Sequence, residues 1–375
     1  MNFINNIEIK NFKSIRHQKI EGCKRINIFV GPPNVGKSNI LEALGLFSVN
    51  TNNSYFGDFV RFGKPTTLFF NGHIHTPSEV IINAYFRGKL KSTKSGNIDV
   101  SFELDRNREG FENIDSQIMK ALIVDFSYID SKIYTIGNFL VDGIDKKISQ
   151  YQGINELRIY KETTEDLLSD NNYNNNPIIK YEFKKNVEYN SDNTYDLTSP
   201  HGENLFDVIL TNYNLSKSII EIFDNYGLKF LYDTESQGYK ILKMVGNMIF
   251  TVPYPLTADT LQRLIFYKAA IYSNINSILL FEEPEANCYE PYIMEITNAI
   301  KNDKNENQFF IVTHSQYVID ELMRDEESRD DTNIYLVGLE ENETKVKLLS
   351  AEASKEAYQT GLNLFFNYQT LWDEN

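Results

Sequence analysis

The 375-residue sequence predicts an α/β fold: a covered parallel sheet, an antiparallel β-subdomain beside it, and a mostly helical segment inserted between the two halves. Three patterns carry this. The run Ile26-Asn27-Ile28-Phe29-Val30 is apolar on both faces of a strand, breaks at Gly31, and gives way to helical spacing at Ile40, Leu41, Leu44 and Phe47. Residues 277–281 and 308–313 are two more greasy strands flanking a helical stretch at 292–300, a β-α-β unit whose strands belong inside a covered sheet. Residues 68–104 hold short apolar runs and alternating segments divided by Gly-containing turns, the pattern of antiparallel strands.

Taken in order, residues 4–10 alternate as a strand, turn through Asn11-Phe12-Lys13-Ser14, and return as a strand over 15–20. Strand 26–30 and helix 37–47 follow, then β-structure with apolar runs at 68–70 and 80–82 and alternation at 98–104. Residues 111–227 read as mixed and locally helical, at 114–123 and 205–223, with an exposed loop at the Asn-rich run 171–176. No heptad persists there, so the insertion is expected to be compact rather than a coiled-coil arm. Strands resume at 229–232, 239–243 and 248–252, followed by a helix over 258–272 and the β-α-β unit. Residues 320–331 read as an exposed acidic connection, and the chain closes with a hairpin (333–339, 345–349) and a helix over 351–366. The expected division is 1–110, 111–227 and 228–375.

Composition bounds the partners. With 37 Lys and Arg against 52 Asp and Glu, a protein that coats nucleic acid over its whole surface is excluded. The balance is uneven: residues 1–108 carry 15 basic and 8 acidic side chains, so a polyanion meets the N-terminal lobe or nothing. Arg87, Lys89, Lys91 and Lys94 lie there in an expected hairpin, and a solvated turn competes with a nucleic-acid contact. No apolar run approaches the ~20 residues that span a bilayer. The N-terminus lacks an export pattern and two cysteines make no disulfide framework, so a cytoplasmic protein with no membrane contact is expected.

Gly31-Pro32-Pro33-Asn34-Val35-Gly36-Lys37-Ser38 satisfies G-x-x-x-x-G-K-[ST] between a buried strand and a helix, the context that the motif requires. Such a loop turns backbone N–H groups toward the phosphates of a nucleotide, and the helix N-terminus adds partial positive charge. Lys37 supplies a full charge, and the Ser38 hydroxyl is placed to ligate Mg²⁺. The strand ending Phe281-Glu282-Glu283-Pro284-Glu285 delivers adjacent carboxylates where ligands of open α/β sheets bind, so Glu282 can reach a metal shell and Glu283 can deprotonate water. An acidic turn is the competing reading. Phe309-Phe310-Ile311-Val312-Thr313-His314 ends the next strand with a residue able to donate to a γ-phosphate, although a lone histidine there is more often structural.

These residues, with Ile7-Glu8-Ile9-Lys10-Asn11-Phe12-Lys13-Ser14 and Gly36-Lys37-Ser38-Asn39-Ile40-Leu41-Glu42, resemble the ABC-type ATPase heads of the RecF, SMC and OLD proteins, broadly the AAA family ATPases. The likeness covers residues 1 to about 105 and 250–320. It implies a P-loop NTPase with an ABC/RecF-like head and an inserted lid. Residues 31–39 would hold ATP, Ser38 and Glu282 Mg²⁺, Glu283 would be the base and His314 the switch histidine. Such heads pair as homodimers around ATP through an LSGGQ-like segment, which here reads Leu256-Thr257-Ala258-Asp259-Thr260-Leu261-Gln262-Arg263. It lacks the Ser-Gly core, Asp259 standing where a glycine approaches phosphate, and Glu282 replaces the usual Asp, so slow turnover is expected. OLD-type proteins append a nuclease domain, for which the 61 residues after His314 are too few. A separate effector, a nuclease or toxin, is therefore the expected partner, with anti-phage defence as the setting. RecF-like DNA repair and a non-hydrolysing ATP switch are the alternatives.

Overall fold

The computed structural model describes residues 4–48, 56–83, 86–92, 98–105, 133–141, 148–151, 178–190 and 195–374. The expected helix at 114–123 and the Asn-rich loop at 171–176 lie outside them.

Sixteen strands are assigned among the described residues: β1 (Asn6–Phe12), β2 (Ile15–Glu21), β3 (Ile26–Val30), β4 (Ser78–Ile82), β5 (Phe86–Ser92), β6 (Ile98–Asp105), β7 (Ile133–Val141), β8 (Ile148–Tyr151), β9 (Ile178–Tyr181), β10 (Lys229–Asp233), β11 (Gly238–Val245), β12 (Met248–Pro253), β13 (Ile278–Glu282), β14 (Gln308–Val312), β15 (Thr332–Glu340) and β16 (Glu343–Leu348). Six form the central sheet in the order β16-β15-β3-β14-β13-β9. All of its neighbours run parallel except β15 and β16, which form the antiparallel hairpin expected near the C-terminus. Seven strands, β2-β1-β4-β5-β6-β7-β8, make an antiparallel sheet, and β10-β11-β12 a small meander.

The central strands bury both faces, and their period of two divides the core. Ile28, Leu279, Phe281, Phe309, Ile311 and Leu336 pack on one side, against α3 (Leu205–Thr211), α4 (Tyr213–Asn225), α5 (Asp259–Ser273), α6 (Glu290–Lys301) and α7 (Gln316–Met323). Phe29, Leu280, Phe310, Val312, Tyr335 and Val337 face the other way, onto α1 (Lys37–Gly45) and the inner face of the antiparallel sheet, including Ile7, Ile9 and Val80. Helix α1 thus lies between the two sheets. Buried polar residues of the strands on its side find partners: the Asn27 amide donates to the carbonyls of Lys24 (2.7 Å) and Phe309 (3.2 Å), and the Lys180 ammonium to the Phe59 carbonyl (3.0 Å). An uncompensated buried polar group would cost several kcal/mol, on the order of 2–7.

The structure departs from the sequence expectation in four places. Residues 68–70 are not a strand, since Pro65–Leu68 and Phe70–Gly72 are 3₁₀ turns; Pro65 opens the first and donates no ladder hydrogen bond. Within 111–227, β7 and β8 extend the antiparallel sheet and β9 is the edge strand beside β13, so these described pieces are built into the head's own sheets, alongside α3 and α4. The acidic stretch 320–331 is helical and paired rather than an irregular connection, although Asp325, Glu326, Glu327 and Asp330 are exposed as expected. Glu321 is buried against Arg324, Asp325 meets Lys301 at 2.8 Å and Asp331 meets Arg25 at 2.9 Å. The final helix stops early, at α9 (Ala351–Thr360), where Gly361 takes φ 68°, and a separate α10 (Tyr368–Glu374) follows the α8 (Glu326–Asp330) and α9 pieces in the chain.

Candidate nucleotide site

Three adjacent parallel strands, β3, β14 and β13, end at the same edge of the central sheet, and each is followed by one of the sequence-flagged segments. The loop after β3 is Gly31 to Ser38, and its two outer glycines are required sterically. A Cβ on Gly31 would lie 2.1 Å from the Val337 carbonyl oxygen. Gly36, which caps α1 at φ 99°, would put one 2.2 Å from Thr344 Oγ1 and 2.6 Å from Ser14 Oγ. Those contacts are braces. Thr344 Oγ1 donates to the Val35 carbonyl (2.7 Å), shares a hydrogen bond with Ser14 Oγ (2.6 Å), and its N–H donates to the Ser14 carbonyl (2.9 Å). Asn39, grouped with the phosphate loop in the sequence, donates its amide to Ser14 Oγ (2.6 Å) and so belongs to the same brace. Pro32, Pro33 and Asn34 form the exposed crest, with Asn34 at φ 63°.

Lys37 is buried, and its ammonium donates to the carbonyls of Gly31 (2.9 Å) and Pro32 (2.6 Å). Burial pulls its pKa down to about 8, against the opposing charges of Glu283 and Glu282. Glu283, first residue past β13, sits at φ 45°, a conformation costly for a side chain of this kind. Its N–H donates to the Val312 carbonyl (2.8 Å), which pins the acidic turn against the end of β14. Its carboxylate lies 3.6 Å from His314 Nε2. The His314 pKa is held below the ordinary histidine range by burial and then by the Lys37 charge, with Glu283 opposing. The His314 ring stacks on Phe365 at 6.4 Å. Lys37, Glu283 and His314 are therefore brought close together past the ends of three neighbouring strands.

Glu282 has a partner that the sequence reading missed. Arg61 Nη2 stands 2.9 and 3.2 Å from its two carboxylate oxygens, while Arg61 Nε reaches Glu42 Oε1 at 2.6 Å. Glu42, buried on α1, also pairs with Lys13 from the turn between β1 and β2. Arg61 follows α2 (Phe56–Phe59), whose last carbonyl is held by Lys180 of β9. A carboxylate at Glu42 among Ile40, Leu41 and Leu44 signals a buried charge in need of a cation; nothing in the sequence points to Arg61 as that cation.

The donor set suits Mg²⁺: a neutral hydroxyl on Ser38 and an anionic oxygen on Glu282, both hard oxygen ligands. Among the described residues no cluster of three or more His, Cys, Asp or Glu side chains could hold a metal by itself, so phosphate oxygens and water would have to complete the shell. In the segment before α5, the Thr257 hydroxyl donates to the Tyr254 carbonyl (2.7 Å) and Gln262 Nε2 to the Thr257 carbonyl (3.0 Å). Arg87 and Lys89 lie 3.9 and 3.7 Å from Glu79, which offsets part of their positive charge.

A P-loop set between a parallel sheet and an antiparallel β-subdomain defines an ATPase head of the RecF/SMC type. The chain belongs to the AAA ATPase domain family, whose model matches residues 3–241. It is similar to an ATP/GTP phosphatase of Helicobacter pylori, 23% identical over 392 residues that cover 96% of this chain and 100% of the relative. It is also similar to the DNA replication and repair protein RecF of a Thermoanaerobacter species, 36% identical over 64 residues, 16% of this chain and 18% of that one. Among solved structures, an SMC head bound to the C-terminal winged-helix domain of ScpA superposes with a TM-score of 0.51 at 18% identity, covering 95% of this chain and all of the other. That likeness speaks to fold. No helix among the described residues is long and apolar enough to cross a membrane.

Proposed function

We propose that this ATPase head binds Mg-ATP at the loop Gly31 to Ser38 and hydrolyses it slowly, with Glu283 as the base and His314 as the γ-phosphate sensor. The convergence of Lys37, Glu283 and His314 at the ends of three neighbouring strands carries the reading. Lys37 exchanges its hydrogen bonds to two loop carbonyls for the phosphates, a stronger, charge-assisted set. Glu283 orients a water and takes its proton; His314, neutral at pH 7 by its lowered pKa, donates to the γ-phosphate and keeps Glu283 directed into the crevice. Bound Mg²⁺, held through Ser38 and Glu282, would neutralise charge on the phosphate oxygens. Glu283→Gln should abolish turnover with ATP binding retained, and Lys37→Ala should lose binding. Equal hydrolysis rates in Glu283→Gln and the parent would refute the assignment.

The same reading has the head pairing with a second copy around nucleotide and controlling a separate effector protein, a nuclease or toxin in anti-phage defence. Co-purification of one protein whose activity follows the nucleotide state tests this. Two observations favour other outcomes. Thr257 spends its hydroxyl on Tyr254, which weakens capping of a partner's ATP and favours a slow or non-hydrolysing switch. The RecF likeness, confined to 64 residues, favours a DNA-repair ATPase, and DNA-stimulated turnover that falls with salt would select it.

A further inference from the structure

We propose that Glu285 is the positioning residue that sets His314 against Glu283. It lies in the turn after β13, and its carboxylate, nine-tenths buried, is turned inward toward the end of β14 rather than out to the crevice. Oε1 accepts two hydrogen bonds, from the Thr313 hydroxyl at 2.6 Å and from the His314 backbone N–H at 3.0 Å. Thr313 Oγ1 in turn accepts the Ser315 N–H (3.0 Å), and Ser315 Oγ caps α7 by accepting the Val318 N–H (3.4 Å). One buried oxygen thus ties the acidic turn to the backbone that carries the histidine and to the helix that follows it.

A purely structural role accounts poorly for this residue. Its second oxygen, Oε2, is buried without a hydrogen-bond partner among the described residues, beside a small cavity lined by Pro284, Ile293, Ile296, Ile311 and Val318. A half-satisfied buried carboxyl is costly relative to an apolar side chain of the same size. Burial, with the nearby Glu283 charge adding to it, raises its pKa. What the carboxyl supplies, and an apolar residue cannot, is one acceptor that holds Thr313 and His314 in register with the Glu282-Glu283 turn. The histidine ring is otherwise fixed by the Phe365 stack and the 3.6 Å approach to Glu283, both made by partly exposed side chains.

The inference rests on the reading of His314 as the phosphate sensor, and its test includes a measurement independent of turnover. In the nucleotide-free full chain, the His314 imidazole resonance is assigned through His314→Gln and followed in Glu285→Ala, Glu285→Gln and Thr313→Val. Glu285→Ala and Thr313→Val should move that resonance by more than a linewidth, whereas Glu285→Gln, which keeps an oxygen acceptor, should hold it near the parent position. In turnover, Glu285→Ala should lose about 10- to 100-fold in kcat with the KM for ATP changed less than about threefold, and Glu285→Gln should recover most of it. An unmoved resonance in folded Glu285→Ala overturns the proposal, as does an equal shift in the Ala and Gln variants. If Glu285→Ala does not fold, Thr313→Val decides by the same resonance, because at constant volume it removes the hydroxyl that donates to Glu285 and accepts from the Ser315 N–H, two links of the one chain. A parent chain that turns over no ATP, in which these variants still move the histidine, leaves Glu285 as its positioner and removes the catalytic reading instead.

Discussion

Arg61 bridges Glu42 and Glu282, with Nε 2.6 Å from the first and Nη2 2.9 Å from the second. A guanidinium on Glu282 competes with any cation for the same oxygens, so the carboxylate proposed for Mg²⁺ is already half neutralised. Arg61→Ala should lower the Mg²⁺ concentration for half-maximal ATP binding by about three- to tenfold, a modest effect because Arg61 is 52% exposed and screened by solvent. Fluorescent-nucleotide titrations at fixed ATP and varied Mg²⁺ measure it. A higher Mg²⁺ requirement would make Arg61 a support for the metal acid rather than its competitor.

Glu42 answers to a different balance. It is 1% exposed and meets two cations, Lys13 and Arg61, so its removal strands charges that its presence satisfies. Glu42→Gln keeps the shape and loses the charge, and should cost about 2–4 kcal/mol of stability in urea unfolding. Arg61→Ala should cost under about 1 kcal/mol, since Lys13 remains on the carboxylate. Equal losses in the two variants would mean that the network acts only through Arg61.

Gly36→Ala tests the brace under the loop. The substitution asks a β-carbon to occupy space 2.2 Å from Thr344 Oγ1 at φ 99°. Left-handed strain and overpacking each cost of order 1–3 kcal/mol, so a loss of about 2–6 kcal/mol is expected, together with loss of nucleotide binding. Thr344→Ala in the same chain should return part of the stability, because it removes the obstructing hydroxyl, and binding should recover less because the strain in the loop remains. Denaturant unfolding of the single and double variants separates the two terms.

Much of the head was legible in the sequence because its signals are local. Strand 26–30, the loop that follows, and the greasy strands before Glu282-Glu283 and His314 announce themselves within a few residues, and the parallel sheet brings their ends together. Pairing information is not local. That Ile178–Tyr181 adds to β13, and that Lys180 from this strand holds the Phe59 carbonyl two residues before Arg61, depends on contacts a hundred or more positions apart. Arg61 sits in an irregular Phe- and Gly-rich stretch without period or motif, so no pattern marks it. Glu285 was in view as the end of an acidic turn, but only the fold aims its carboxylate at Thr313 rather than at solvent.

The lowered pKa of Lys37 gives nucleotide binding a proton signature. In the unfolded chain the ammonium titrates near 10.5 and in the fold at about 8, so between these values the unfolded chain binds a proton that the folded chain lacks. This group's contribution to stability therefore rises with pH across that window, and below it the folded protein carries the full cost of the buried charge. Phosphates reverse the preference by favouring the ammonium. At pH 8.5 ATP binding should draw in roughly 0.7 proton, falling toward zero near pH 7, where Lys37 is already charged. His314 does not obscure this, since its own pKa lies below the usual histidine value and it stays neutral at pH 8.5. Calorimetry in two buffers of different ionisation enthalpy reads the uptake, and Lys37→Arg, which keeps a charge but cannot release it, should eliminate whatever uptake is seen while leaving measurable affinity. Uptake that persists in the arginine variant would assign the proton to another group.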